Sequence, residues 1–419
     1  MKLRYQPFLL LTALSATALA GPEEPIAPPV KNPDAFSWLT PTINVRARLE
    51  VRDVDGFDPS TAFTVRERLG LKLGEFGGFS AFAEGEFTQA IGDDYRSFPL
   101  PVGAAPAANL EPARANNSTI ADPENAELNR AWVQYKGFDT TLKLGRQRIK
   151  LNNDAFVGNV GWRQNEQTFD AIRFDNSSID NLDFTYIYSD RVQRIFGDDA
   201  RGGLHDWEGD FHFVNAKYTG IDGLDLSAYL VAIDFDPGQG PASGNGVTYG
   251  VIGSGKANGL NLYGEVAYQT ADETGFDDAF YTHLKASKKF GKHTVGINYE
   301  FLGEDFNTPF ATVHAFNGFA DVFALRRLGL GGGHGDIHDV YLSHSTKLPG
   351  GIVWKNWFHY IDAEDRAGAD LSGWEYDSVF VKKFGKGFTG IAKFYHFEAE
   401  SDSLSPTTTG FTLGLNYNF

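Results

Sequence analysis

The sequence predicts an all-β protein, a transmembrane antiparallel up-and-down β-barrel of about 18 strands with short periplasmic turns and long extracellular loops. Three observations predict this class. Apolar and polar residues alternate along successive runs, as in strands that show one face to lipid and the other to a lumen. Short Gly-rich turns and long polar connections separate these runs in alternation. The last run carries no charge, has one wholly apolar face and ends at Phe419.

The alternation begins at Thr42. In the first run Ile43, Val45 and Leu49 alternate with Asn44 and Arg48, and later runs repeat this pattern. The number of runs is even, as single-chain bacterial barrels require. The predicted strands are 42–52, 63–73, 79–91, 127–136, 140–150, 167–175, 182–189, 211–218, 224–234, 247–256, 260–270, 280–289, 294–302, 337–346, 352–362, 374–384, 388–397 and 407–419. A soluble β-sandwich or propeller would not explain strands this long or the long-short alternation of the connections.

The N-terminal residues predict export. Lys2 and Arg4 form a basic region, residues 8–19 are apolar, and small residues at 18–20 suit cleavage, so residues 1–20 are predicted to be a signal peptide. Pro-rich residues 21–41 form a predicted periplasmic leader, and residues 42–419 form the barrel. The predicted location is therefore the outer membrane of a Gram-negative cell.

Composition limits the function classes. The formal net charge of −17 argues against nucleic acid as a partner. The chain has no cysteine, which excludes disulfides and thiol chemistry. No later stretch is apolar enough for a helical membrane span. We expect no cofactor and no bound metal.

The predicted lumen is basic although the chain is acidic. When the polar face of each strand is assigned to the lumen, the first two strands alone contribute six cations. The predicted pore-lining, anion-binding residues are Arg46, Arg48, Arg52, Arg66, Arg68, Lys72, Arg130, Arg146, Arg173, Lys217, Lys285 and Lys355, with an acidic counter-face of Glu50, Glu84, Glu86, Glu265 and Glu300. Such a wall selects anions. The alternative is that these arginines only brace the sheet through cross-strand Arg–Glu pairs.

Loops must fill so wide a lumen, because an 18-stranded barrel otherwise leaves an aqueous channel. The two longest connections, 92–126 and 303–336, are candidates. Segment 151–166 is a third, since Phe156, Val157, Val160 and Trp162 would be poorly placed in water.

Several segments resemble the alginate-export family of outer-membrane barrels. The most specific is 142–171 (LKLGRQRIKLNNDAFVGNVGWRQNEQTFDA), supported by 63–68 (FTVRER), 128–135 (LNRAWVQY) and 316–323 (FNGFADVF). The resemblance implies an 18-stranded monomer whose Arg/Lys-lined pore passes a polyuronate, because arginine binds carboxylates bidentately. The residues carried over are Arg46, Arg48, Arg66, Arg68, Arg130 and Arg146. For Arg146, which shares the phase of Leu142 and Leu144, an inward direction requires a local bulge.

Two transport functions stay open from the sequence: export of an anionic exopolysaccharide such as alginate, and uptake of small sugar acids or other anions. In either case we expect contacts with outer-membrane lipid and lipopolysaccharide, and recognition of Phe419 by the barrel-assembly machinery. Acidic pairs such as Asp93 and Asp94 could hold Ca²⁺ or bridge to lipopolysaccharide, or simply be solvated. An enzyme is the third class, and His334, Asp336, His338 and Asp339 are its best metal-like cluster. We expect no catalysis, because that cluster also fits a polar junction between loop and strand.

Overall fold

The computed structural model describes residues 38–98, 114–198, 200, 204–272, 275–330 and 335–419. Within these residues, 18 strands form one antiparallel sheet in which consecutive strands pair and β1 also pairs with β18. The sheet is therefore a closed barrel, which confirms the predicted fold class and strand number. The predicted signal peptide, 1–20, and all but the end of the predicted leader lie outside the described residues.

The strands leave few residues for other regular structure. One short helix, α1 (Ala324–Arg327), and 3₁₀ turns at Ala242–Gly244, Val313–Ala315 and Pro349–Gly351 lie in the connections. The strands are β1 (Leu39–Val54), β2 (Ser60–Phe76), β3 (Phe79–Asp94), β4 (Asn125–Gly137), β5 (Thr140–Gln147), β6 (Thr168–Ile179), β7 (Leu182–Gln193), β8 (Asp206–Ile221), β9 (Leu224–Phe235), β10 (Gly246–Ala257), β11 (Leu260–Ala271), β12 (Ala279–Phe290), β13 (His293–Leu302), β14 (Ile337–Lys347), β15 (Val353–Ala363), β16 (Gly373–Gly385), β17 (Phe388–Ala399) and β18 (Thr408–Asn418). In the described part of the chain, no helix is long and apolar enough to cross a membrane.

Many strand ends differ from the predicted ones by a few residues, and two of these differences bear on the extent of the barrel and the start of a loop. The barrel begins at Leu39 rather than Thr42, because residues 39–41 pair with residues 71–73 of β2. The fifth strand ends at Gln147 rather than at residue 150, since the chain then turns into the lumen.

The first and last strands pair at the seam that closes the barrel. Arg46 lies opposite Asn416 and Arg48 opposite Gly414. The backbone N–H of Ile43 donates to the carbonyl of Phe419 at 3.0 Å, and the N–H of Phe419 donates back at 2.8 Å. Each of the 18 described strands is thus paired on both sides, so none of them is left as an edge for another chain.

The two ends of the barrel differ. We call the end with short connections the turn side and the end with long connections the loop side. On the outer wall, apolar side chains such as Leu69, Val133 and Leu342 are exposed, as a lipid-facing surface requires. The inner wall is buried in the half nearer the loop side, where loops cover it, and is more open in the half nearer the turn side.

Candidate transport pathway

Two connections fold from the loop side into the lumen. Loop A is the β5–β6 connection, residues 148–167, and loop B is residues 303–330 of the β13–β14 connection. Val157 of loop A and Phe310 of loop B form a β-bridge. The Phe310 ring then packs 4.9 Å from the ring of Phe211 on β8. Loops A and B together form a plug, in agreement with the loop segments that the sequence suggested.

Loop A is held by arginines of β1 and β2. Nη1 of Arg46 donates to the carbonyls of residues 161, 162 and 163 at 3.1, 3.3 and 3.0 Å. Arg48 donates to the carbonyl of Trp162, and Arg66 and Arg68 donate to that of Gln164. All four side chains are at most 5% exposed. Because buried carbonyls need donors, these arginines keep loop A inside the barrel.

Buried carboxylates balance these cations. Glu166 of loop A lies 2.6 Å from both Nε and Nη2 of Arg148, and 3.5 Å from Nη1 of Arg68, which also binds Glu86 on β3. Burial alone would raise the pKa of Glu166, but Arg148 and Arg68 hold that pKa well below its usual range. An ionised, fully buried Glu166 thus joins loop A to β2.

Arg163 of loop A is a second buried junction. Its guanidinium lies 3.2 Å from Glu50 on β1, 3.3 Å from Asp321 of loop B and 4.0 Å from Asp122. Asp122 belongs to the β3–β4 connection and also pairs with Arg48 at 2.9 Å. Burial would lower the pKa of Arg163, but Glu50 and Asp122 raise it above its usual value. Arg163 therefore stays charged and links the wall to both loops.

Trp162 carries an aromatic contact between the two loops. The His314 ring of loop B stacks on Trp162 at 4.8 Å and 7°. The Lys393 ammonium of β17 lies 2.5 Å from Nε2 of His314, whose Nδ1 is 2.9 Å from Asp321. Burial lowers the pKa of His314 to about 3; Asp321 opposes the shift and Lys393 reinforces it. The imidazole is thus neutral at ordinary pH.

Loop B also binds carboxylates of the wall. Arg327 of α1 pairs with Glu300 on β13 at 2.9 Å, and the Ala320 N–H donates to Glu375 on β16 at 2.7 Å. The carbonyl of Ala320 accepts from Arg52 at 2.6 Å. Glu300 and Arg52, both predicted to line the pore, therefore contact the plug in this structure.

The lumen below the plug, towards the turn side, is a basic vestibule. Its wall consists of inner-face residues that loops A and B do not cover, and most are half-buried. The cations on this wall are Lys72, Arg130, Lys136, Lys143, Arg173, Lys217, Lys256, Lys285 and Lys355, against the carboxylates Glu84, Asp175, Asp183 and Asp225. The excess of positive charge in a confined volume attracts anions.

The predicted site residues divide between these two regions. Arg46, Arg48, Arg52, Arg66, Arg68, Glu50, Glu86, Glu265 and Glu300 contact the plug. Lys72, Arg173, Lys217, Lys285 and Lys355 face the vestibule, and Arg130 lies at its upper edge with both donor groups on Glu84, at 2.8 and 2.7 Å. Contact of these residues with a transported anion stays a prediction.

The predicted inward direction of Arg146 is wrong. It lies opposite Ala131 of β4 on the outer wall and pairs with Asp170 of β6 at 2.8 and 2.9 Å. The pairing of β5 with β4 runs without a register shift, so Arg146 keeps the outward phase of Leu142 and Leu144. Arg146 therefore does not line the lumen.

Sequence reasoning missed the charged residues of the plug. Arg163, His314, Asp321 and Arg327 lie in connections, where no period-two alternation predicts a direction. The only available signal was the aromatic content of segment 151–166, which predicted that the segment turns inward without identifying its partners.

The residues that the sequence suggested as a metal-like cluster do not point to a common site. His338 faces outward and hydrogen-bonds Tyr299 at 2.9 Å, whereas Asp339 faces inward and pairs with His359 at 2.9 Å. His334 lies outside the described residues. Among those that are described, no three His, Asp or Glu side chains are placed to hold a metal ion. The acidic pair Asp93 and Asp94 instead pairs with Arg114, at 3.5 and 3.1 Å.

A closed barrel with an inserted plug is the architecture of an outer-membrane channel, and known structures support this class. The chain is similar to Pseudomonas aeruginosa OpdQ, with 15% identity, a TM-score of 0.67 and coverage of 91% of this chain and 98% of that one. For Acinetobacter baumannii OccAB3 the identity is 15%, the TM-score 0.68 and the coverage 91% and 99%. For P. aeruginosa OpdK, solved with vanillate, the identity is 13%, the TM-score 0.67 and the coverage 90% of this chain and 98% of that one. At these identities the similarity establishes the fold.

Comparison with sequence families identifies the family, which the structural similarity alone does not. The sequence model of the alginate export family matches residues 37–301, and the chain belongs to that family. This confirms the resemblance seen in the sequence. None of the curated proteins compared with the chain matches it. As an outer-membrane channel, the barrel has its turn side in the periplasm and its loop side outside the cell.

Proposed function

We propose that this outer-membrane channel passes anionic solutes, and that its solute is an anionic exopolysaccharide such as alginate or a similar polyuronate. The observation that carries the proposal is the basic vestibule on the periplasmic side. Among the described residues, Lys72, Lys143, Lys285 and Lys355 have no carboxylate within ion-pairing distance. Their charge is therefore available to a solute.

A polyanion can bind several cations of the vestibule wall at once, whereas a small anion binds only one or two. The vestibule cations come from strands on several sides of the barrel, so an extended chain could place successive carboxylates near successive ammonium groups. Each pair is weak in water, but repeated pairs along one chain act together. The buried arginines of β1 and β2 would join this path once loop A leaves them, because guanidinium groups bind carboxylates bidentately.

Transport requires movement of the plug. In the half nearer the loop side, buried apolar residues of the inner wall and of loops A and B form one hydrophobic cluster. An uncharged polar network would seal the barrel equally well, whereas this plug is held by ion pairs that an incoming polyanion can replace. We infer that the anion both enters the vestibule and favours release of loop A.

The other expected partners form part of the same proposal. The apolar outer wall contacts lipid and lipopolysaccharide, the barrel-assembly machinery recognises Phe419, and the protein works as a monomer. Its role is transport rather than catalysis.

Planar-bilayer recording tests the proposal. Polyuronate oligomers added on the turn side are expected to raise the open probability and to block the current of each open channel while they occupy it, and neutral glucan oligomers of equal length are expected to do neither. Equal block by a monomeric sugar acid would favour the small-anion alternative. A cation-selective pore that polyuronates do not affect would exclude both.

A further inference from the structure

The vestibule wall contains an aromatic shelf directly below the plug, formed by Phe82 of β3 and Trp132 of β4. The two residues are directly opposite each other on neighbouring strands, with ring centres 5.6 Å apart and an angle of 32° between the rings. Trp132 is half-buried and faces the lumen. An indole held against the wall with part of its surface open can stack on a flat, partly apolar ligand.

On β5, the inner-face residue beside the shelf has no side chain. This residue, opposite Trp132, is Gly145. It has φ of +114°, and a Cβ there would lie 2.3 Å from the carbonyl oxygen of Ala131, so this position requires glycine. Gly145 therefore places no side chain on the Trp132 ring, and the β5 side chain that reaches this ring is the flexible Lys143.

Lysines lie at both ends of the shelf. Lys72 of β2 is directly opposite Phe82, and the Lys143 ammonium lies 4.8 Å from the centre of the Trp132 ring. Neither lysine has a carboxylate within ion-pairing distance among the described residues. Arg130 also lies over Phe82, at 4.8 Å, but Glu84 already neutralises its charge.

The positive charge of Arg173, on the neighbouring strand, favours binding of an anion at Lys143. Lys143 is directly opposite Arg173 of β6, and like charges in that position destabilise a sheet. Arg173 has Asp175 as its own ion-pair partner at 2.8 Å, whereas Lys143 forms no ion pair of its own among the described residues. A bound carboxylate would remove this repulsion.

We propose that the shelf is a binding subsite for uronate units, in which a pyranose ring stacks on Trp132 while its carboxylate binds Lys143 or Lys72. This inference rests on the proposed function and deepens it by naming where the polymer first binds. Stacking selects a sugar ring and the ammonium groups select its charge, so neither a neutral glycan nor a simple anion satisfies both. The subsite lies where the vestibule meets the plug, and its occupation positions the polymer beneath loop A.

Calorimetry on the full chain in detergent tests the subsite, with hexamannuronate as the probe. Trp132→Leu is expected to weaken binding about tenfold, and the double variant Lys72→Gln, Lys143→Gln by a similar factor. Trp132→Tyr should bind within about threefold of the wild type because a ring remains. Trp354→Leu and Lys382→Gln are matched controls on the outer wall and should not change affinity.

Two results would overturn the subsite: unchanged affinity in folded Trp132→Leu, or equal affinity of the wild type for a neutral glucan hexamer. Ion selectivity, measured on the same proteins in bilayers, separates the two proposals. An anion-selective channel with unchanged affinity in Trp132→Leu refutes only the subsite. A cation-selective wild type refutes the proposed function itself. Heat-modifiable electrophoretic mobility reports whether each variant is folded.

Discussion

The ammonium group of Lys393 lies 3.4 Å from the centre of the Trp162 ring. Lys393 belongs to the barrel wall and Trp162 to loop A, and the same indole also contacts the Arg48 guanidinium at 4.4 Å and the His314 ring of loop B. A desolvated cation–π contact contributes about 2 kcal/mol. Side chains of β1, β17 and both loops thus meet at Trp162, and we expect the closed state to depend on it.

Replacing Trp162 by alanine is expected to open the channel. The substitution removes both cation–π contacts and the stack on His314, which weakens attachment of the plug by about 3 kcal/mol or more. The measurement is open probability in planar bilayers, which should rise strongly. Trp354→Leu, on the outer wall, is the control. A Trp162→Ala channel with wild-type open probability would show that the plug does not depend on this ring.

Acidification is expected to release the plug through His314. Burial, with Lys393 and Arg163 nearby, lowers the pKa of His314 to about 3 in the packed plug, against an ordinary value of 6.5. Because the released form takes up the proton first, the packed form loses stability as pH falls below 6.5, by roughly 2 to 3 kcal/mol near pH 4.5. Burial alone would raise the pKa of Asp321, but His314 and then Arg163 hold that pKa below its usual value. Protonation of Asp321 therefore also destabilises the packed plug, but only at lower pH than protonation of His314.

Single-channel conductance at a series of pH values measures this effect. Open probability should rise between pH 6.5 and 4.5 in the wild type, and His314→Gln should remove that rise. A His314→Gln channel with the same acid response would assign the response to another group.

Neutralising Glu166 is expected to loosen loop A. Glu166→Gln leaves Arg68 and Arg148 without their shared carboxylate, and breaking a buried pair in this way costs about 3 kcal/mol. Limited proteolysis should then cleave within 148–167 in folded protein. Glu304→Gln is the matched control, because the Glu304–Arg366 pair is exposed and contributes little. Equal protease resistance of the two variants would contradict the assigned role of Glu166.

Deleting Phe419 is expected to impair assembly. The deletion removes two backbone hydrogen bonds to Ile43 at the seam and the aromatic terminus that we propose the assembly machinery recognises. The folded fraction in outer membranes, measured by heat-modifiable mobility, should fall, whereas Phe419→Tyr should assemble normally. Normal assembly of the deletion would argue against both roles.

Sequence alternation predicted the barrel because lipid on one face and a lumen on the other impose a period of two on each strand. The same rule gave the inward direction of Arg46 and Arg68. For Arg146 the alternation indicated the outward direction, and the inward assignment that came from the family resemblance required a bulge that β5 does not have. The alternation could not show that loop A binds the inward arginines, since contacts such as Arg46 with residues 161–163 depend on how a connection folds back and not on periodicity. The sequence therefore predicted inward wall residues and loops that fill the lumen, but not which wall residues those loops bind.

The most direct test of the account is the reversal potential of the channel in a KCl gradient across a planar bilayer, with Trp162→Ala used to keep the pore open. A basic vestibule predicts a reversal potential of the sign set by chloride, which moves towards zero when Lys72, Lys143, Lys285 and Lys355 are changed together to glutamine. A reversal potential of the sign set by potassium, or one that the four substitutions leave unchanged, would contradict the account.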